Sequence, residues 1–217
     1  MLSIVQYLNR IFFSRLFLAL QLPMEIDKRI MVLGHSFVRR LADDLDAKFD
    51  ARASKDFNLK GCNVRLFGIG GRTVTKLRSF DLGKVSSYRP DILLLEVGTN
   101  DISLAHKSAQ SVGSEIEEFT TLILDRFGVK VIGVFLTIPR ADEVLNSKAK
   151  RLNQYLKVVL GDRKNIFVWG HRNLMKPANT VLLSDGVHLN KWGQYRLYRS
   201  YRGAIIHALK VLAKIDS

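Results

Sequence analysis

Five residues of this chain have the types and the placement that acyl transfer needs. Ser36 sits in Gly34-His35-Ser36, directly after the apolar run Ile30 to Leu33. Asp185 and His188 stand three apart in Ser184-Asp185-Gly186-Val187-His188, where a turn eased by glycine brings an imidazole and a carboxylate to one side. A serine hydroxyl is a weak nucleophile until a histidine takes its proton. A carboxylate then holds that histidine in the useful tautomer and stabilises the imidazolium. The oxyanion formed when an ester carbonyl is attacked needs fixed donors, and the backbone N–H groups of Ser36 and Gly71 and the side-chain amide of Asn100 are the candidates. Taken singly, each cluster has an ordinary structural reading: Ser36 as a helix N-cap, Gly68 to Gly71 and Gly98 to Asp101 as turns, Asp185 and His188 as a turn with a hydrogen-bonded histidine.

What joins them is the order of elements. Ile30–Leu33, Asn63–Phe67, Asp91–Val97, Lys130–Leu136 and Asn165–Trp169 read as short buried strands, and Asp91–Val97 is apolar on both faces apart from Glu96. Between and after them, helical spacing predicts helices over Phe37–Ala53, Ser114–Phe127, Asp142–Leu160 and Leu189–Ile215. Strands alternating with helices require crossovers between parallel neighbours, which gives a three-layer α/β/α sandwich around a parallel sheet of about five strands. Ser36, Gly71, Asn100 and the Asp185/His188 pair each follow a predicted strand. A parallel sheet therefore delivers all of them to its carboxyl edge, where open α/β sheets bind ligands.

The composition sets outer bounds. With 217 residues, 47% hydrophobic and 25% charged, the chain suits one core, and residues 24–217 read as a single domain. Lys and Arg number 34 against 20 Asp and Glu, a net charge of +14, which favours association with nucleic acid or an anionic membrane without naming either. On the last helix, Arg196, Arg199, Arg202 and Lys210 lie opposite an apolar and tyrosine stripe and form a basic face. Residues 1–23 form a separate basic, amphipathic segment that ends at Pro23; it reads as a docking helix or tail and also fits mitochondrial import or contact with a membrane surface. The single cysteine, Cys62, fits a reducing, intracellular and cytoplasmic setting and reads as packing. His35, His106, His171, His188 and His207 have no ligand spacing, and the glycines at 68 to 71 lack the dinucleotide fingerprint, so no metal and no cofactor is expected.

The order Gly34-His35-Ser36, Gly68-Ile69-Gly70-Gly71, Gly98-Thr99-Asn100-Asp101 and Asp185-Gly186-Val187-His188 resembles the SGNH hydrolase superfamily, the GDSL-like esterases and lipases. The resemblance runs from about Arg29 to the end of the chain. It implies a flavodoxin-like sheet in the order 2-1-3-4-5, a metal-independent acyl-serine mechanism and an open site for small esters or thioesters. By position it makes Ser36 the nucleophile, His188 the base, Asp185 its partner, and Gly71 and Asn100 oxyanion donors beside Ser36. The absence of a G-x-S-x-G elbow argues against the larger α/β-hydrolase fold. One position departs from the family: Asp usually precedes the serine, and here it is His35. The expected function is hydrolysis of a short acyl ester, such as acetyl. The competing expectation is a weak or inactive module of the same fold that binds nucleic acid or anionic membrane through its basic face.

Overall fold

A computed structural model describes residues 27–175 and 180–217. The amphipathic reading of residues 1–23 lies outside the described residues. Five parallel strands form one sheet in the order β2-β1-β3-β4-β5: β1 (Lys28–Gly34), β2 (Cys62–Gly68), β3 (Ile92–Glu96), β4 (Val131–Phe135) and β5 (Ile166–Trp169). This is the expected order. β1, β3 and β4 carry uninterrupted buried apolar runs because both faces of the sheet are covered there, whereas the edge strand β2 alternates and exposes Asn63 and Arg65. In β1 the alternation is direct. Ile30 and Val32 face one core with α1 (Ser36–Asp46) and α6 (Lys191–Asp216), while Met31 and Leu33 face the other. That second layer consists of α2 (Val74–Phe80), α3 (Leu82–Tyr88), α4 (Ala109–Phe127) and α5 (Glu143–Leu160).

Two differences from the sequence reading have clear causes. The first helix ends at Asp46 rather than near Ala53, because Lys48 adopts a left-handed φ of 51° and turns the chain. Phe49, expected on the helical stripe, instead packs against the core from the following loop. The fourth helix starts five residues earlier than Ser114, at Ala109, where Ser108 and Ser111 form a reciprocal capping box. Among the described residues, no helix is long and apolar enough to cross a membrane.

The sheet register fixes where the site lies. Gly34 at the end of β1 pairs with Gly68 at the end of β2 and with Glu96 at the end of β3. Ser36, Gly71 and Asn100 follow these level strand ends by two to four residues, so all three emerge at the carboxyl edge.

Candidate active site

Ser36 is the first residue of α1, and His35 is the cap. The His35 Nδ1 accepts a hydrogen bond from the Phe37 backbone N–H at 3.4 Å. The capping role that Ser36 offered in the sequence therefore belongs to its neighbour. The Ser36 N–H is one of the unpartnered donors at a helix start. Among the described residues, neither it nor the half-buried Ser36 hydroxyl hydrogen-bonds to protein.

The loops that follow β2 and β3 are tied to each other. Asn100 donates one amide hydrogen to the Arg72 carbonyl at 2.8 Å, leaving the other available. Asp101, fully buried, accepts the Val74 N–H at 3.0 Å at the start of α2. Burial pushes the Asp101 carboxyl up, against the Val74 bond and the charge of Lys107. Just before these two clamps lies Gly71 with a φ of 69°, which favours glycine, and its N–H has no protein partner among the described residues.

On the other side of the edge, the His188 Nδ1 meets the Asp185 Oδ2 at 2.7 Å. The other Asp185 oxygen accepts the backbone N–H groups of Val187 at 2.9 Å and His188 at 2.8 Å. The backbone N–H of His188, then its imidazole and the Val187 N–H, hold the Asp185 carboxyl well below the usual range, so it stays ionised. Gly186, at a φ of 67°, approaches Ala141 so closely that a Cβ would lie 2.7 Å from the Ala141 Cβ. That contact and the Ala141 N–H bond to the Gly186 carbonyl at 3.1 Å seat the turn against the loop after β4. The His188 charge also contributes to the depressed pKa of His35, which places its imidazole within electrostatic reach of the residue before Ser36. The structure brings Ser36 and His188 to one edge without a hydrogen bond between them.

Beneath the serine lies a buried cluster that the sequence reading missed. Glu96, 2% exposed, accepts from the Tyr201 hydroxyl at 2.9 Å and lies 3.1 Å from the His171 Nε2, and His171 Nδ1 is 2.9 Å from the Ser200 hydroxyl. His35 Nδ1 acts as an acceptor, so its proton is on Nε2, which faces the Glu96 Oε1 at 3.8 Å. Burial raises the Glu96 carboxyl, but His171, His35 and the Tyr201 hydroxyl outweigh it and hold it below its ordinary value. The imidazole thus keeps an acceptor at the position where the family usually has Asp, without setting a second carboxylate beside Glu96. The only sequence sign of this cluster was one glutamate in an apolar strand.

Burial lowers the pKa of His35 to about 4, helped by Arg140, His171 and His188 and opposed by Glu96. In the unfolded chain the imidazole binds a proton near pH 6.5, so over this interval the unfolded state holds more protons and folding is favoured as pH rises. The His35 contribution is complete above about pH 6.5 and declines as pH falls toward 4, by about 2 to 3 kcal/mol between pH 7 and 4.5. Urea midpoints of the wild type and His35→Gln at these two pH values measure it. The variant should lose less stability on acidification, and equal losses would remove His35 from the account.

The sequence model of the GDSL-like Lipase/Acylhydrolase family matches residues 32–196, most of the chain. The chain belongs to this family. Membership places it among hydrolases, and the matched span holds Ser36, Gly71, Asn100, Asp185 and His188. Solved structures share the fold at low identity. A GDSL-like lipase from Bacteroides thetaiotaomicron VPI-5482 has a TM-score of 0.68 and 18% identity, covering 92% of this chain and 98% of that one. A family 3 carbohydrate esterase from Clostridium thermocellum has a TM-score of 0.63 and 17% identity, covering 86% and 98%. An acetyl-xylooligosaccharide esterase from Geobacillus Stearmophilus has a TM-score of 0.60 and 15% identity, covering 87% and 96%. A comparison with curated protein sequences gave no match.

The basic face expected of the last helix is partly engaged in holding the fold. Arg196 donates to the Asn173 carbonyl at 3.0 Å and lies over the Trp192 ring, and Arg202 donates to the Phe57 carbonyl at 3.0 Å. Arg199 and Lys210 remain exposed.

Proposed function

We propose that the chain is a serine esterase that removes a short acyl group, such as acetyl, from an ester through an acyl-serine intermediate. The observation that carries this reading is the 2.7 Å Asp185–His188 pair at the same sheet edge as a serine whose hydroxyl has no structural use among the described residues. His188 Nε2 takes the Ser36 proton as Oγ bonds to the carbonyl carbon. The resulting oxyanion receives the Ser36 and Gly71 N–H groups and the spare amide hydrogen of Asn100. As the carbonyl re-forms, the C–O bond to the alcohol breaks, and the imidazolium returns its proton to the leaving oxygen. Water, deprotonated by His188, then adds to the acyl carbon, and as the bond to Oγ breaks the imidazolium returns that proton to Ser36, releasing the acid. The reaction requires the Ser36 hydroxyl to come within hydrogen-bond reach of the His188 imidazole, and such bonds are commonly open before substrate binds.

Support for the short acyl group comes from neighbours of the same fold named as acetyl-xylooligosaccharide and carbohydrate esterases. The test is covalent. A fluorophosphonate should label one serine, found by peptide mass mapping at Ser36, and the same protein should hydrolyse 4-nitrophenyl acetate. Folded protein that neither takes the label at Ser36 nor turns over any short-chain ester would refute the reading.

A further inference from the structure

Beside the Asp185–His188 turn lies an open cavity of about 930 Å³. Its walls come from the loop after β4, from α5 and from residues 182–186, and they include Thr137, Arg140, Lys150, Ser184 and Gly186. The mechanism uses none of these residues. We propose that this cavity is an anion-recognition subsite, in which Arg140, with Lys150, receives an oxyanion group carried by the ester substrate. The proposal rests on the esterase reading for its chemistry, since it assigns a substrate class to the same site.

Four observations carry it. First, Arg140 is fixed in place. Its backbone N–H donates to the Asn146 Oδ1 and its carbonyl accepts from the Asn146 Nδ2, each at 2.7 Å, so one side chain clamps both backbone groups. Second, its guanidinium is underused. Of five N–H donors, Nη1 reaches the Ser103 hydroxyl at 3.2 Å, while Nε is buried with no partner, and among the described residues no carboxylate lies within ion-pair distance. Burial pulls its pKa down, with Asp142 opposing, as expected of a cation held partly out of water without a counter-ion.

Third, the backbone of this wall is clamped again at Thr137. The residue is 2% exposed, and Asn153 occupies both its backbone groups at 2.9 Å, yet its hydroxyl has no partner. The Arg140 Nε and the Thr137 hydroxyl both lie inside the wall rather than open to the cavity, the Thr137 hydroxyl beside Gly98, so the groups left to meet an outside oxyanion are the Arg140 Nη donors and Lys150. Fourth, the lining holds two cations, Arg140 and the exposed Lys150, against one carboxylate, Glu143 in the exposed first turn of α5. The balance is positive, and a planar guanidinium matches a carboxylate, sulfate or phosphate with two parallel bonds. Arg140 is also among the charges that depress His35, so it acts within electrostatic range of the residue preceding the nucleophile.

Two matched ester pairs test the assignment: 4-nitrophenyl acetate against mono-4-nitrophenyl succinate, with the charge on the acyl side, and 4-acetoxybenzamide against 4-acetoxybenzoate, with the charge on the alcohol side. At least one pair should show an anionic preference of about tenfold or more in kcat/KM, the scale of a charge-assisted bond. Arg140→Gln should bring that ratio close to one, Arg140→Lys should keep part of it, and the exposed Lys150→Gln should lower it by a few fold. Binding to Ser36→Ala by calorimetry separates the subsite from the chemistry. The favoured anionic ester should bind about tenfold more tightly than its neutral partner, and Ser36→Ala/Arg140→Gln should lose the difference. If the wild type hydrolyses nothing, the esterase reading fails while this binding measurement still decides the subsite. Equal affinity within both pairs, or a preference that survives Arg140→Gln, would overturn it.

Discussion

Ser36→Ala should lower kcat for 4-nitrophenyl acetate by roughly 10⁴ to 10⁶-fold, the scale on which acyl-serine enzymes lose activity when the nucleophile is removed. The same variant should leave the stability of the protein within about 0.5 kcal/mol of the wild type. The second half of this expectation separates the chemical from the structural account of the serine. Were Ser36 the cap of α1, alanine would cost about 1 kcal/mol by stranding a backbone donor. His35 already caps that helix through Nδ1, and the Ser36 hydroxyl makes no bond among the described residues. A large kinetic loss with an unmoved urea midpoint therefore assigns the hydroxyl to the reaction. A loss of stability with activity retained would return Ser36 to capping and leave the Asp185–His188 pair without a nucleophile. Asp185→Asn provides the second point: with the ring no longer held in the useful tautomer, kcat should fall by about 10⁴-fold.

The parts of this site that were legible in the sequence are those carried by local pattern. Ile30 to Leu33 and Ile92 to Leu95 are continuous apolar runs because a parallel sheet is buried on both sides, and a polar residue after such a run is delivered to the carboxyl edge. The same strand ends put Ser36, Gly71 and Asn100 at that edge. The Asp185–His188 contact is legible because the two residues share one turn. Residues that act through long-range contacts left no such trace. Glu96 meets His171 and Tyr201 across 75 and 105 positions, and no spacing rule links them. Arg140 read as the opening of a loop, since its partners Ser103 and Asn146 come from different elements. The short helices α2 and α3 were also unread. Each buries only two residues, Val74 with Leu77 and Val85 with Tyr88, too few to make a period visible.

The largest effect on stability should come from Glu96→Ala. The carboxylate is buried to 2% exposure and is the shared acceptor for the Tyr201 hydroxyl and the His171 Nε2, with the His35 Nε2 near its other oxygen. Alanine removes the acceptor, strands two buried donors and leaves a cavity. Breaking such a buried charged cluster from one side costs about 3 to 5 kcal/mol, which for a domain of this size is a fall in Tm of roughly 10 °C. Glu96→Gln keeps the volume and one acceptor oxygen and should cost less, about 1 to 3 kcal/mol. Because the cost of Glu96→Ala comes from stranded partners, it should not add to theirs. Tyr201→Phe in the Glu96→Ala background should cost clearly less than Tyr201→Phe in the wild type, since its hydroxyl no longer has a carboxylate to lose. Urea unfolding of the two single variants and the double variant closes this cycle. Additive losses would mean that Tyr201 and Glu96 stabilise the fold separately, and that no shared network lies beneath the turn carrying His35 and Ser36.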